Sequence, residues 1–177
     1  MELMGSGFVL RPWHLEDALS IQHHADNPNV SAFLADRFPY PYTLDDAMSW
    51  VNLMQNQDPL VNFVIAVDGK AVGGIALEMR QDVHQKTPLL GYWLGEVYWG
   101  KGIMPEAVKL ITNYAFAHLD IICIQAFIFS GNPASMRVLE KAGYEKQGVI
   151  KHSIVKRGKI WNEHVYAMLN PQAVTLN

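Results

Sequence analysis

The sequence predicts an α+β domain with a helical front and a sheet in its later part. Three observations carry that reading. Apolar residues recur at helical spacing near 15–21 and again near 46–54. From residue 61 onward, strand-like runs follow one another, broken by Asp68-Gly69 and Arg157-Gly158. Two further helical stretches, at 105–119 and 132–142, are set among those strands.

In chain order, "FVLRPW" reads as a short strand. "LEDALSIQHHAD" places Leu15, Ala18, Leu19 and Ile21 at helical spacing, and Asn27-Pro28 stops it. A second short helix is expected within "NVSAFLAD". "RFPYPYT" has too many prolines for regular structure and is a loop with exposed aromatics. Thr43 caps the next helix with Asp46 three residues on, ahead of Met48, Val51, Leu53 and Met54.

"VNFVIAV" and "AVGGIALEMR" flank Asp68-Gly69 and form a hairpin, since Asp-Gly between apolar runs favours a tight primed turn. "LLGYWLG" is the next strand. "PEAVKLITNYAFAHL" is a helix with Ala107, Leu110, Ile111, Tyr114 and Ala115 on one face. "IICIQAFIF" is almost continuously apolar, as a strand covered on both faces is. "NPASMRVLEKAGY" is a helix opened by Asn132 and Pro133 and stopped by Gly143. Two strands around Arg157-Gly158 close the chain.

The 177 residues suit one domain, expected to span 1–177. Half are apolar and 18% charged, and the net charge of −3 leaves no basic footprint for a nucleic acid. Cys123, the single cysteine, excludes an internal disulfide and reads as a small buried hydrophobe. No signal peptide is visible, and no apolar stretch nears the roughly 20 residues of a membrane span. A cytoplasmic location with no membrane partner is expected.

"LGYWLGEVYWGKGIMPEA", residues 90–107, puts Gly100 and Gly102 at a strand-to-helix junction. Glycines there let ligand oxygens approach the backbone, and a helix start offers free N–H groups and partial positive charge. Ile103 and Met104 stand where a capping residue is expected, and neither accepts a hydrogen bond; Pro105 suits the first helical position. Either water, a neighbouring loop or an external anion fills that role. The spacing matches neither a nucleoside-triphosphate loop nor a Rossmann fingerprint.

"YWGKGIMPEA" resembles the acyl-CoA pyrophosphate loop of the GCN5-related N-acetyltransferase (GNAT) superfamily, with its Q/R-x-x-G-x-G/A motif. "NPASMRVLEKAGYEKQGV" resembles the second cofactor-facing helix of that superfamily and its following strand. "LRPWHLEDA", "RFPYPYT" and "YAML" resemble the ribosomal-protein N-terminal acetyltransferase branch. The similarity runs from about Phe8 to Leu169. It implies a mixed, mostly antiparallel sheet of about six or seven strands with a splayed pair, flanked by about four or five helices. It also implies an acetyltransferase using acetyl-CoA as co-substrate.

The resemblance places Gly100, Lys101, Gly102, Ile103 and Met104 at the pyrophosphate. Leu94 is where "GYWLG" splays from its neighbour and its backbone binds pantetheine and polarises the thioester. Trp99 stands next to the loop where many relatives carry arginine or glutamine. Asn132 either reaches the pantetheine arm or caps its own helix. Many relatives have a tyrosine that protonates the departing thiolate; that position is Leu139 here, which has no proton to give. Ser135, one turn earlier, resembles the serine assigned this role in the ribosomal-protein branch; its bland reading is a structural polar residue.

Glu96, just past Gly95, is either the base that takes the amine's proton or a solvated turn charge. His84, His118 and His152 are dispersed, and no metal-ligand spacing occurs, so no metal is expected. Deprotonating an α-amine at neutral pH costs about 1.4 kcal/mol, against about 4.6 for a lysine-type amine. A site without a strong base therefore favours a peptide N-terminus. A polyamine or aminoglycoside acceptor stays open, as does an acyl-CoA-binding module without turnover, and the chain is expected either alone or as a homodimer. Tyr40 and Tyr42 are either an acceptor wall or loop packing.

Overall fold

The computed structural model describes residues 1–173; residues 174–177 of the expected domain lie outside that range. Among the described residues there are eight strands: β1 (Leu3–Gly5), β2 (Phe8–Arg11), β3 (Asn62–Val67), β4 (Lys70–Glu78), β5 (Leu89–Leu94), β6 (Cys123–Phe129), β7 (Glu145–Lys156) and β8 (Lys159–Leu169). The five helices are α1 (Ala18–Ala25), α2 (Pro28–Ser31), α3 (Leu44–Leu53), α4 (Ile103–His118) and α5 (Pro133–Ala142). The strands are ordered β1-β2-β3-β4-β5-β6-β8-β7 in one mixed sheet. Antiparallel ladders join β1 to β2, β2 to β3, β3 to β4, β6 to β8 and β7 to β8. The parallel ladder of β5 with β6 holds a single pair, Leu89 with Gln125. The eighth strand exceeds the expected count; it is β1, three residues with Met4 exposed, too short to display an alternation.

The chain forms two compact units. The first comprises Met1–Ala76 with Tyr92–Ala107. Its core gathers Trp13, Ile21, Ala25, Tyr42, Val51 and Val64, with Phe38 and Trp93 packed against them. The buried face of α1 is Ala18, Ile21 and Ala25, a helical repeat; Leu15 and Leu19, expected on that face, are exposed. On α3 the core takes Ala47 and Val51, and Met48 and Leu53 point outward. The β2 end is pinned by a buried ion pair: Arg11 Nη1 and Nη2 each donate to Asp17 at 2.8 Å. Thr43 and Asp46 form the expected capping box. Asp68 and Gly69 both have positive φ, as a primed hairpin turn requires.

The second unit comprises Leu77–Gly91 and the chain from Val108 on. Cys123, Ile124, Ala126 and Ile128 of β6 are buried, and the cysteine's thiol pKa is pushed up by burial. Leu139 is fully buried on α5, and Tyr166 donates from its hydroxyl to Glu140 at 2.9 Å. Thr112 and Tyr144 share a buried hydrogen bond of 2.8 Å. Gly143, with φ of 95°, ends α5 in the left-handed conformation predicted for it. Among the described residues no helix is long and apolar enough to cross a membrane.

Candidate active site

At the end of β5 the backbone is drawn close to β4. A Cβ on Gly73 would meet the Trp93 carbonyl oxygen at 2.5 Å, so only glycine permits the approach. The Gly95 N–H then donates to the Val72 carbonyl at 2.8 Å. A 3-10 turn, Glu96–Tyr98, follows, and Trp99 folds its ring back so that Nε1 donates to the Leu94 carbonyl at 2.8 Å. The indole thus braces the turn and leaves the next residues to the loop itself.

Gly100 and Gly102 have φ of 74° and 80°, values that glycine adopts at no cost. A Cβ built at either meets nothing within 4 Å, so the space above both is open. Helix α4 starts at Ile103, directly after Gly102. That is two residues earlier than the sequence led us to expect: Ile103 and Met104 belong to the first turn, and Pro105 is its third residue. The capping position falls on Gly102, which has no side chain at all. Ile103 and Met104 bury their side chains and present backbone to the loop. The Glu106 carboxylate, which would repel an anion, is turned to the Ser6 N–H and hydroxyl at 2.9 and 3.0 Å. Lys101 is exposed, its Nζ 5.2 Å from the Tyr98 ring centre. An open, twice-glycine turn feeding an uncapped helix fits a pyrophosphate held mainly by backbone N–H groups.

Glu96 is exposed, and its carboxylate accepts from Asn27 Nδ2 at 2.7 Å and from Asn29 Nδ2 at 3.0 and 3.1 Å. These donors hold its pKa below the usual glutamate value, Asn27 contributing most. A carboxylate so held is a weaker base than the sequence suggested. Asn27 and Asn29 are not visible as site residues in the sequence, where their local signal is only the capping of α2, and neither is His24. The His24 ring occupies the space a side chain on Gly95 would fill: a Cβ there would meet Nδ1 at 2.9 Å. His84, the histidine nearest this stretch in sequence, lies in the other unit.

Of the two candidate wall tyrosines, Tyr42 is buried, its hydroxyl pKa pushed up to about 12 by burial. It packs in the core with Phe38, whose ring is 5.0 Å from that of Tyr42 and 5.4 Å from Trp93. Tyr40 is exposed.

In the second unit, Asn132 Oδ1 accepts from the Ser135 N–H at 3.1 Å, so this end of the side chain caps α5. Ser135 is buried in the first turn of α5, and Leu139 one turn on is fully buried. Among the described residues no group of three or more His, Cys, Asp or Glu is placed to hold a metal.

Comparison with known proteins bears on this geometry. Residues 8–145 match the family model described as acetyltransferase (GNAT) domain. A probable N-acetyltransferase of Bacillus subtilis, YjcK, is 40% identical over 96% of this chain and 97% of its own. A spermidine N(1)-acetyltransferase of Escherichia coli is 24% identical over 86% of this chain and 81% of its own. Among solved structures, RimL, a ribosomal L7/L12 alpha-N-protein acetyltransferase in complex with coenzyme A, superposes with a TM-score of 0.83. It is 18% identical and covers 96% of this chain and 98% of its own.

Proposed function

Because the chain belongs to the GNAT acetyltransferase family and is an acetyl-CoA-dependent N-acetyltransferase, we propose that it works as one acetyltransferase domain on the α-amine of a peptide N-terminus. The observation that carries the assignment of the donor loop is the open Gly100–Gly102 turn without a side-chain cap. Acetyl-CoA supplies the acetyl group, and the amine attacks it directly. Gly100, Lys101, Gly102, Ile103 and Met104 hold the pyrophosphate, and the β5 backbone at Leu94 orients the acyl carbonyl and stabilises its developing negative charge. Ser135 gives a proton to the departing sulfur. Asn132 supports that residue by fixing the first turn of α5.

Glu96 serves the acceptor. Its carboxylate is ionised at neutral pH and exposed, so it attracts an ammonium group while its depressed pKa makes it reluctant to take the proton. An α-amine then suits the site better than a more basic amine, because about 3 kcal/mol less is needed to neutralise it. The likeness to RimL supports the same acceptor class, and the spermidine acetyltransferase supports a polyamine as the competing reading.

The test of the loop is Gly102→Val. A side chain at φ of 80° is strained whatever the space. Acetyl-CoA affinity, read by calorimetry, should fall at least tenfold in a variant whose melting curve remains cooperative. Unchanged affinity in the folded variant removes the pyrophosphate from this loop.

A further inference from the structure

The His24 imidazole packs directly on Gly95, at the end of β5. Its Nδ1, Cγ and Cβ would lie 2.9, 3.0 and 3.1 Å from a Cβ on that glycine, so the glycine exists to admit the ring. The Tyr98 ring meets it edge to face at 5.4 Å, and His23 does so at 5.0 Å. These contacts hold the ring in place, and among the described residues no hydrogen bond to it is found. The nearby carboxylate, Glu96, is taken up by Asn27 and Asn29. The imidazole thus packs on Gly95 and Tyr98, while the carboxylate between them in sequence is held by two asparagines.

We propose that His24, and not Glu96, is the general base that accepts the proton of the acceptor's ammonium. This rests on the N-acetyltransferase reading above. The ammonium loses one proton to the imidazole, and the freed lone pair forms the C–N bond to the acyl carbon. The C–S bond breaks with its electron pair leaving on sulfur, which takes the Ser135 hydroxyl proton, and the second amine proton restores that hydroxyl. The imidazolium then returns one proton to solvent. Glu96 positions the ammonium before this step.

The electrostatics agree with the geometry. Burial first, and His23 second, lower the His24 pKa from its usual 6.5. The titratable groups facing the ring are His23 from α1 and Tyr98 from the turn after β5. Asp17 of the preceding turn and Asp45 and Asp46 of α3, elements packed against α1, are not among the groups that shift it. The sign follows: His24 is neutral at pH 7 and competent as a base, and it loses that competence as pH falls through its lowered pKa. A base near or below the working pH is what proton abstraction needs.

The experiment is kcat/KM against pH for wild type, His24→Gln and Glu96→Gln, with an alanine-initiated tetrapeptide and with spermidine as probes. Wild type should show an acid limb below 6.5. His24→Gln should lose that limb, fall about a hundredfold at neutral pH, and recover as pH rises toward the amine's own pKa. Acetyl-CoA affinity should be unchanged, which separates a lost base from a lost fold. Glu96→Gln should raise KM for the amine and keep the limb. Gly95→Ala, which displaces the ring, should mimic His24→Gln in part. An acid limb that survives in His24→Gln, or one that vanishes in Glu96→Gln, overturns the proposal. Wild type that binds acetyl-CoA but acetylates neither probe overturns the acceptor reading and this inference with it; an active wild type with an indifferent His24→Gln overturns the inference alone.

Discussion

Ser135 shows how one position can serve structure and chemistry at once. Its N–H is held by Asn132, and its side chain is buried; an alanine there keeps the Asn132 cap and removes the hydroxyl. If the hydroxyl protonates the sulfur, Ser135→Ala should lower kcat by about a hundredfold or more, with acetyl-CoA affinity nearly unchanged. Stopped-flow thiol release reads this directly, and near-normal turnover would assign the proton to water. Leu139, fully buried and without a proton to give, has no part in that step. At this scale the loop glycines and the α5 capping residue were legible, because φ and capping are local demands. The partners of Glu96 were not. Asn27 and Asn29 lie 69 and 67 positions away, and no local spacing encodes a contact made by folding.

Among the elements, two polar devices at the front should differ in worth. The Arg11–Asp17 pair is bidentate and buried, so Asp17→Asn strands a buried guanidinium and should cost about 3–5 kcal/mol. The exposed Thr43 cap on α3 should cost only about 1 kcal/mol on Thr43→Ala. Urea unfolding of both variants ranks them, and equal costs would refute the weight placed on burial. The cap has a pH signature too. Hydrogen bonds from Thr43 hold the Asp46 pKa below 3.8, so the stability it adds is complete above that value and is lost as pH falls through the folded pKa. The gap between wild type and Thr43→Ala should therefore narrow in acid, leaving the part due to the Asp46 N–H to Thr43 Oγ1 bond. The elements themselves were readable from period and punctuation: Asp68-Gly69 and Arg157-Gly158 both take the positive φ their hairpins need. The apolar faces were read less well. Leu15, Leu19, Met48 and Leu53 match a helical repeat but face solvent, since spacing alone leaves the phase of a helix undetermined.

For the whole molecule, the order of strands follows from long-range pairing that hydropathy does not display; the family motifs carried the mixed, mostly antiparallel sheet but not that order. The strand beyond the expected count was missed because three residues cannot establish a period. What neither motif nor fold specifies is the acceptor, which depends on how the site neutralises an ammonium. A site whose carboxylate is held below the usual pKa and whose neutral base is a histidine favours the amine that is easiest to deprotonate. The most direct measurement is mass-spectrometric mapping of the acetyl group after reaction with a peptide that carries both a free N-terminus and an internal lysine, in the presence of equimolar spermidine. Acetyl is expected on the α-nitrogen, with one thiol released per acetyl transferred. Acetyl on the lysine or on spermidine, with the peptide N-terminus untouched, would contradict it.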